Sequence, residues 1–214
     1  MTATLTVSSN AAHTHNWRLG FRQTVAMSKR SVLALLRQPA LVVPSMIFPL
    51  FFAALGTSSF GSAINLPGFP KVDSFLDFSL AGTIVQGVLF GSVQSGSALA
   101  TDIENGFFYR LMAAPSSRLG ILVGRLAGAA AYGAFQTLFF ALLLLPFGMS
   151  IKGGPLGVLV MVISGGLIAI AISGFMAAAA LKTGSSEAVQ GIFPLVFIML
   201  FFSSAFFPRQ TMSG

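Results

Sequence analysis

The sequence predicts an all-α, polytopic membrane protein: five transmembrane helices preceded by an amphipathic one. Three observations predict it. Only 8% of the 214 residues are Asp, Glu, Lys or Arg, 55% are hydrophobic, and mean hydropathy is +0.86. Soluble domains carry about 25% charged residues, so this chain has too few charges to coat a surface facing water. The charges that exist also divide the chain. They bound charge-free runs at Gln38–Pro70, Phe78–Thr101, Leu126–Ile151, Gly153–Leu181 and Ala188–Pro208. Each run reaches the roughly 20 residues a helix needs to cross hydrocarbon. Helices are the expected form because an open strand leaves its backbone groups unpaired in lipid.

The elements follow in order. Residues 1–16 are rich in Thr, Ser and Ala and lack the apolar core of a signal peptide. They read as a disordered tail, and His13 and His15 within it read as tail residues before they read as a metal pair. Residues 17–38 form an amphipathic interfacial helix. Trp17, Phe21, Val25, Val32 and Leu35 fall on one side of it, and Arg18, Arg22, Lys29, Arg30 and Arg37 on the other. That pattern suits the surface of an anionic leaflet, and Gln38-Pro39 ends the helix. Residues 39–208 form the transmembrane domain. Its spans are expected near Leu41–Phe60, Ser79–Ala100, Leu126–Phe147, Leu156–Leu181 and Ala188–Phe207, with a loop at 101–125. Residues 209–214 form the end.

Several function classes are excluded at this stage. Without cysteine there is no disulfide, thiolate metal site or cysteine nucleophile. No ionisable side chain falls inside an expected span, against a proton-coupled transporter and against a membrane-embedded hydrolase. No phosphate-cradling G-x-x-x-x-G-K-[ST] occurs, so energy for uphill work must come from another chain. The net charge of +7 is a matter of topology here, not of nucleic acid. No metal site and no catalytic residue is expected.

The second span carries a polar stripe. Ser79, Thr83, Gln86, Gln94, Ser97 and Thr101 fall within about one quarter of the helix circumference. Two glutamines in hydrocarbon need partners or water. The stripe therefore faces either a polar substrate path (Thr83, Gln86, Gln94, Ser97) or neighbouring helices. Gly87-x-x-x-Gly91 and Gly124-x-x-x-Gly128 permit close helix packing. The phenylalanine pairs Phe51-Phe52, Phe139-Phe140, Phe201-Phe202 and Phe206-Phe207 line an aromatic path or fill lipid-facing packing.

The 101–125 loop is long and patterned. Asp102 and Glu104 precede a short helix in which Phe107, Arg110 and Leu111 share one face, and Pro115 bounds it. Such a helix suits either a lipid surface or a partner's groove.

Asp102-x-Glu104-x-Gly106, then Arg110-Leu111-x-x-x-Pro115-x-x-Arg118, ending in Gly124-Arg125, resembles the signature of type-2 ABC exporter permeases, nearest to the daunorubicin-resistance-like permeases of bacteria. Arg37-Gln38-Pro39, Pro49 and Phe206-Phe207-Pro208 agree with it, and Leu80-Ala81-Gly82 departs from the family's usual Pro-Gly. The resemblance implies that Asp102, Glu104, Gly106, Phe107, Arg110, Leu111, Pro115 and Arg118 belong to a coupling region against a separate ATP-binding subunit. It implies two copies of that subunit, ATP and Mg bound there and no cofactor in this chain. It also implies a second permease subunit (homo- or heterodimer) and a place in the bacterial plasma membrane. The expected function is then the permease subunit of an ATP-driven exporter for an amphipathic small molecule or lipid. The alternatives are a secondary transporter or channel subunit, or a non-transporting scaffold. Family members usually have six spans, so five spans imply a missing sixth helix.

Orientation follows from the basic residues. Alternate segments hold nine of them (Arg18, Arg22, Lys29, Arg30, Arg37, Arg110, Arg118, Arg125, Lys182), and the other side holds Lys71, Lys152 and Arg209. The positive-inside rule places the N-terminus and the 101–125 loop in the cytoplasm. A topology reporter fused at Gly214 should report the outer face, and one in the loop the cytoplasm. A cytoplasmic signal at Gly214 would refute the count of five.

Overall fold

The computed structural model describes residues 25–26, 28–30, 32–33, 37, 39–65, 72–113, 118–149, 151 and 153–201. Among the described residues six bounded α-helices follow one another: α1 (Pro39–Phe60), α2 (Phe75–Glu104), α3 (Phe107–Ala113), α4 (Arg118–Leu144), α5 (Gly154–Thr183) and α6 (Ser186–Phe201). Short 3-10 turns, Gly61–Asn65 and Leu145–Phe147, extend α1 and α4. There is no strand among the described residues. Helical positions between 25 and 33 precede α1, and the Arg37 amide still bonds the Leu33 carbonyl. The expected tail 1–16, residues 17–24 and residues 202–214 lie outside the described residues.

The all-α polytopic class holds. α1, α2, α4 and α5 are long and apolar enough to cross a membrane, and α6 is a shorter, mainly apolar helix described over 16 residues. The helix ends differ from those that charge placement suggested. α2 begins at Phe75 instead of Ser79, because Ser74 caps it by accepting a hydrogen bond from the Asp77 amide at 3.2 Å. It runs on through Asp102 and Glu104. α4 starts at Arg118, not Leu126, and so contains Arg125. Asp77, Asp102 and Arg125 thus lie within these helices and do not terminate them.

α2 is the axis of the bundle, packed by α1, α4, α5 and α6. In its apolar stretch 72% of residues are buried, against 17% for α1 and 22% for α5. The core forms along α2 in two clusters. Leu76, Leu80, Ile84 and Val88 meet Phe140 and Leu144 of α4 at one end. Leu89, Val93 and Leu99 meet Met176 and Ala180 of α5 and Val189 of α6 at the other.

Glycines on α2 admit large side chains. A Cβ at Gly91 would stand 2.7 Å from the Tyr132 ring, and one at Gly87 would overlap the Phe140 ring and stand 3.0 Å from Gln136 Nε2. The Gly87-x-x-x-Gly91 motif thus receives the side chains of α4. Where α4 meets α5, Gly133 lies against Ala169, and Gly165 lies against Thr137.

Pro44 and Pro49 interrupt α1. Pro49 has no N–H, so the carbonyl of Ser45, four residues earlier, loses its helical donor. Gln136 Nε2 of α4 donates to that carbonyl at 3.0 Å. The Ser45 hydroxyl donates to the Val42 carbonyl at 2.8 Å, which leaves its oxygen to accept from Tyr132 Oη at 3.1 Å. Ser45, Tyr132 and Gln136 are all buried.

If this node exists to satisfy the proline-freed carbonyl, the two sites should be coupled. Gln136→Leu should cost about 1–3 kcal/mol in detergent-micelle unfolding, the penalty for a buried unpaired acceptor. In a Pro49→Ala background the restored N–H serves Ser45, and the cost should fall by about 0.5 kcal/mol or more. Strict additivity would refute the assignment.

Candidate functional site

The elements expected to carry function converge at the end of the bundle that bears α3. α2 stops at Glu104, and Asn105 and Gly106 turn the chain within two residues. The Asn105 amide bonds the Thr101 carbonyl at 3.0 Å, and the Gly106 amide bonds the Ile103 carbonyl at 3.0 Å. Gly106 has φ +68°, a left-handed conformation that glycine adopts without penalty. α3 follows, and none of its residues is buried. Tyr109 is 65% exposed and Phe107 36%. Arg110 is exposed, Leu111 is half-buried, and Phe108 packs inward on the α5/α6 cluster.

The two acidic residues before α3 both contact other elements, Asp102 half-buried and Glu104 exposed. Asp102 makes an ion pair with Arg125 of α4 and lies 3.8 Å from Arg30 of the segment preceding α1. Arg125 is the more enclosed of the two partners and Arg30 is half exposed. The Arg30 guanidinium also stacks over the Phe107 ring, 4.2 Å from its centroid, within cation–π range. Beside it the Ser28 hydroxyl donates to the Gly124 carbonyl at 3.0 Å. Glu104 Oε1 accepts from the Ser186 amide at 2.7 Å, so it caps the N-terminus of α6, where a carboxylate complements the helix dipole. Ser97 Oγ donates to the Ser186 carbonyl at 3.4 Å.

Asp102, Glu104, Gly106, Phe107, Arg110 and Leu111 thus all lie at the turn from α2 into α3 and along α3 itself. Pro115 lies outside the described residues, as does the side chain of Arg118. Arg30 was legible only as one charge on a basic face. Its tie to Phe107, 77 positions away, has no local signal in the sequence.

The polar stripe of α2 divides. Ser79, Thr83, Gln86 and Ser97 are buried, Gln94 is half-buried and Thr101 is exposed. Ser79 and Thr83 bond backbone carbonyls of their own helix. Gln86 is fully buried, and both its amide atoms lack a partner among the described residues. Phe90, one turn from Gln86, joins an aromatic cluster with Phe48 and Phe52 of α1 and Phe193 and Phe197 of α6, at centroid distances from 4.6 to 6.4 Å. Sequence reading passed over Tyr132 and Gln136. Two polar side chains four apart in a charge-free run were the available signal.

The architecture is that of an all-α polytopic membrane protein. The chain belongs to the ABC-2 type transporter family, whose model matches residues 22–214. It is 31% identical over 193 residues to the daunorubicin resistance ABC transporter permease protein DrrB1 of Streptomyces coeruleorubidus. That alignment covers 86% of this chain and 64% of the relative, so the chain spans just under two thirds of the relative's length. No solved structure matches it.

The contacts of Asp102 predict a conditional tether. The chain contains no cysteine, so a Ser28→Cys, Gly124→Cys pair would be the sole thiols and should crosslink readily. Asp102→Asn removes the ion pair to Arg125 and the contact to Arg30. The crosslinking rate should fall several-fold, and unfolding should be easier by about 1.5–3 kcal/mol, the range for a charge-assisted bond. An unchanged crosslinking rate would show that Asp102 does not hold the segment.

Proposed function

We propose that this chain is the transmembrane permease subunit of an ATP-binding cassette exporter. It moves an amphipathic small molecule or lipid outward using ATP hydrolysed by a separate subunit, with Mg bound there, and is not itself an enzyme. Two ATP-binding subunits and a second permease subunit, identical or not, complete the assembly. The chain sits in the bacterial plasma membrane with the α3 end in the cytoplasm, and the 17–38 segment lies at that interface. Family membership and the similarity to a daunorubicin resistance permease support the class. The observation that carries the coupling role is α3: a short helix with an exposed aromatic and basic surface, joined by a two-residue hinge to the central helix. Aromatic and Arg side chains are typical interface anchors. Asp102 and Glu104 serve this role as positioning residues, holding α3 against α4, α6 and the N-terminal segment. Thr83, Gln86, Gln94 and Ser97 mark the substrate path, with the unpaired Gln86 amide as its polar point.

The test is a pull-down of the ATP-binding subunit with Phe107→Ala plus Arg110→Ala. Loss of such anchors costs about 2 kcal/mol, roughly thirtyfold in affinity. The ATP-binding subunit should be released, or stay bound without responding to substrate, whereas changing Lys152 and Arg209 should do neither. Normal recovery and transport in the double variant would refute the coupling role. For the path, Gln86→Leu with Gln94→Leu should leave assembly intact and change substrate-stimulated ATPase activity. Weakened assembly with unchanged stimulation would mean that the two amides only bridge helices.

A further inference from the structure

At the end of the bundle opposite α3, a cavity of about 470 Å³ opens between α1, α2 and α4. Leu50, Ala54, Thr57 and Ser58 form its α1 wall, and Leu143 and Leu144 form its α4 wall. Buried Leu76 of α2 closes it on a third side. The two hydroxyls in the wall are each engaged with their own helix. Thr57 Oγ1 donates to the Ala53 carbonyl at 2.8 Å and Ser58 Oγ to the Leu55 carbonyl at 2.9 Å. The wall therefore offers a ligand apolar surface and no charge.

Three fillings compete. Water needs two to four polar partners in a cavity, and these hydroxyls are already engaged with their own helix. A vacant space of this size leaves its lining without dispersion contacts. Hydrocarbon meets neither objection, and the volume falls in the range of about 300–1,000 Å³ that holds one small ligand. The position supplies the hydrocarbon. Phe147, 68% exposed at the rim, and the exposed Leu55 and Leu142 beside it continue the cavity into the lateral, apolar surface of the spans.

We propose that this cavity is a lipid site that seats one acyl chain of a bilayer phospholipid, entering sideways past Phe147 with its head group left at the membrane surface. The seated chain acts as a wedge. Every α1 residue in the wall lies beyond Pro49, in the half of α1 that a proline leaves free to bend. Occupancy therefore holds that half of α1 away from the end of α4.

The test uses the full chain in vesicles of phosphatidylethanolamine and phosphatidylglycerol that contain a phospholipid with a photoreactive diazirine in its acyl chain. Labelled peptides are mapped by mass spectrometry. The expected result is several-fold more label on Leu143, Phe147 and Ala54 than on Leu159 and Ile163, exposed apolar residues of α5. Ala54→Phe should fill the cavity and abolish the excess, whereas Leu159→Phe should leave it. Ser58→Phe, at an exposed position, serves the same purpose if Ala54→Phe fails to insert. Equal labelling of both sets would overturn the proposal, as would an excess that survives filling. So would an excess displaced by pyrene but not by unlabelled phospholipid, which would assign the cavity to apolar cargo. None of these readouts involves ATP or transport, so the result stands apart from the exporter reading.

Discussion

A backbone carbonyl in hydrocarbon must find a donor inside the protein, and that constraint organises this bundle. Pro49 strips the Ser45 carbonyl of its helical partner in the middle of α1. Water cannot replace it there, so a neighbouring helix must. Gln136 does so from α4. Its reach requires α4 to lie close to both α1 and α2, and α2 presents Gly87 and Gly91 at the places where Gln136, Tyr132 and Phe140 arrive. A side chain at either glycine would push α4 away and leave the carbonyl unpaired. One missing N–H thereby sets the separation of three helices.

The same closeness explains why α2 is the buried axis. Hydrophobic burial gives helices little reason to associate in lipid, because lipid tails are as apolar as leucine. Close packing and polar contacts have to hold them instead. α2 supplies the small residues that let large neighbours in, and its hydroxyls at Ser79 and Thr83 are satisfied within the helix. Gln86 occupies the interior with both amide atoms unpaired among the described residues, where the hydroxyls of Ser92 and Ser173 and Gln136 Oε1 also lack a partner. A buried amide in that state is costly. A polar group that enters only at some stage of a transport cycle would relieve the cost, which is the physical content of reading Gln86 as a point on a path.

Much of the fold was legible because membranes impose coarse rules. Charge-free length located the helices, and the basic residues indicated an orientation. Helix ends were legible only approximately. A Ser74 cap, the turn at Asn105 and Gly106 and a Gly184 cap at φ +62° set them, and charges near the interface do not stop a helix. At the site, spacing placed Phe107, Arg110 and Leu111 on a short helix, and a helix is found there. What Asp102 and Glu104 touch was not legible. Their partners Arg30, Arg125 and Ser186 lie 72, 23 and 82 positions away, and no local pattern specifies such pairings. Gln136 was missed for the opposite reason. Tyr132 and Gln136, four apart in an apolar run, gain a meaning only once Pro49 shows which carbonyl Gln136 must donate to.

The two acidic residues give the α3 end its mechanical character. The Asp102 carboxylate is paired internally, and one oxygen of the exposed Glu104 is engaged by the Ser186 amide. Asp102 fastens α2 to α4 and reaches Arg30, and Glu104 fastens α2 to the start of α6. The aromatic and basic side chains of α3 are left as the outward chemistry. Only Gly106 and Asn105 separate these fastenings from α3. Phe107 lies under the Arg30 guanidinium, and Arg30 lies 3.8 Å from Asp102, so the exposed helix, the segment before α1 and the last turn of α2 meet at one place. From that turn Asp102 reaches α4 through Arg125, and Glu104 reaches α6 through the Ser186 amide. The exposed helix is thus joined to the membrane-spanning core by polar contacts that close spacing in the sequence does not specify.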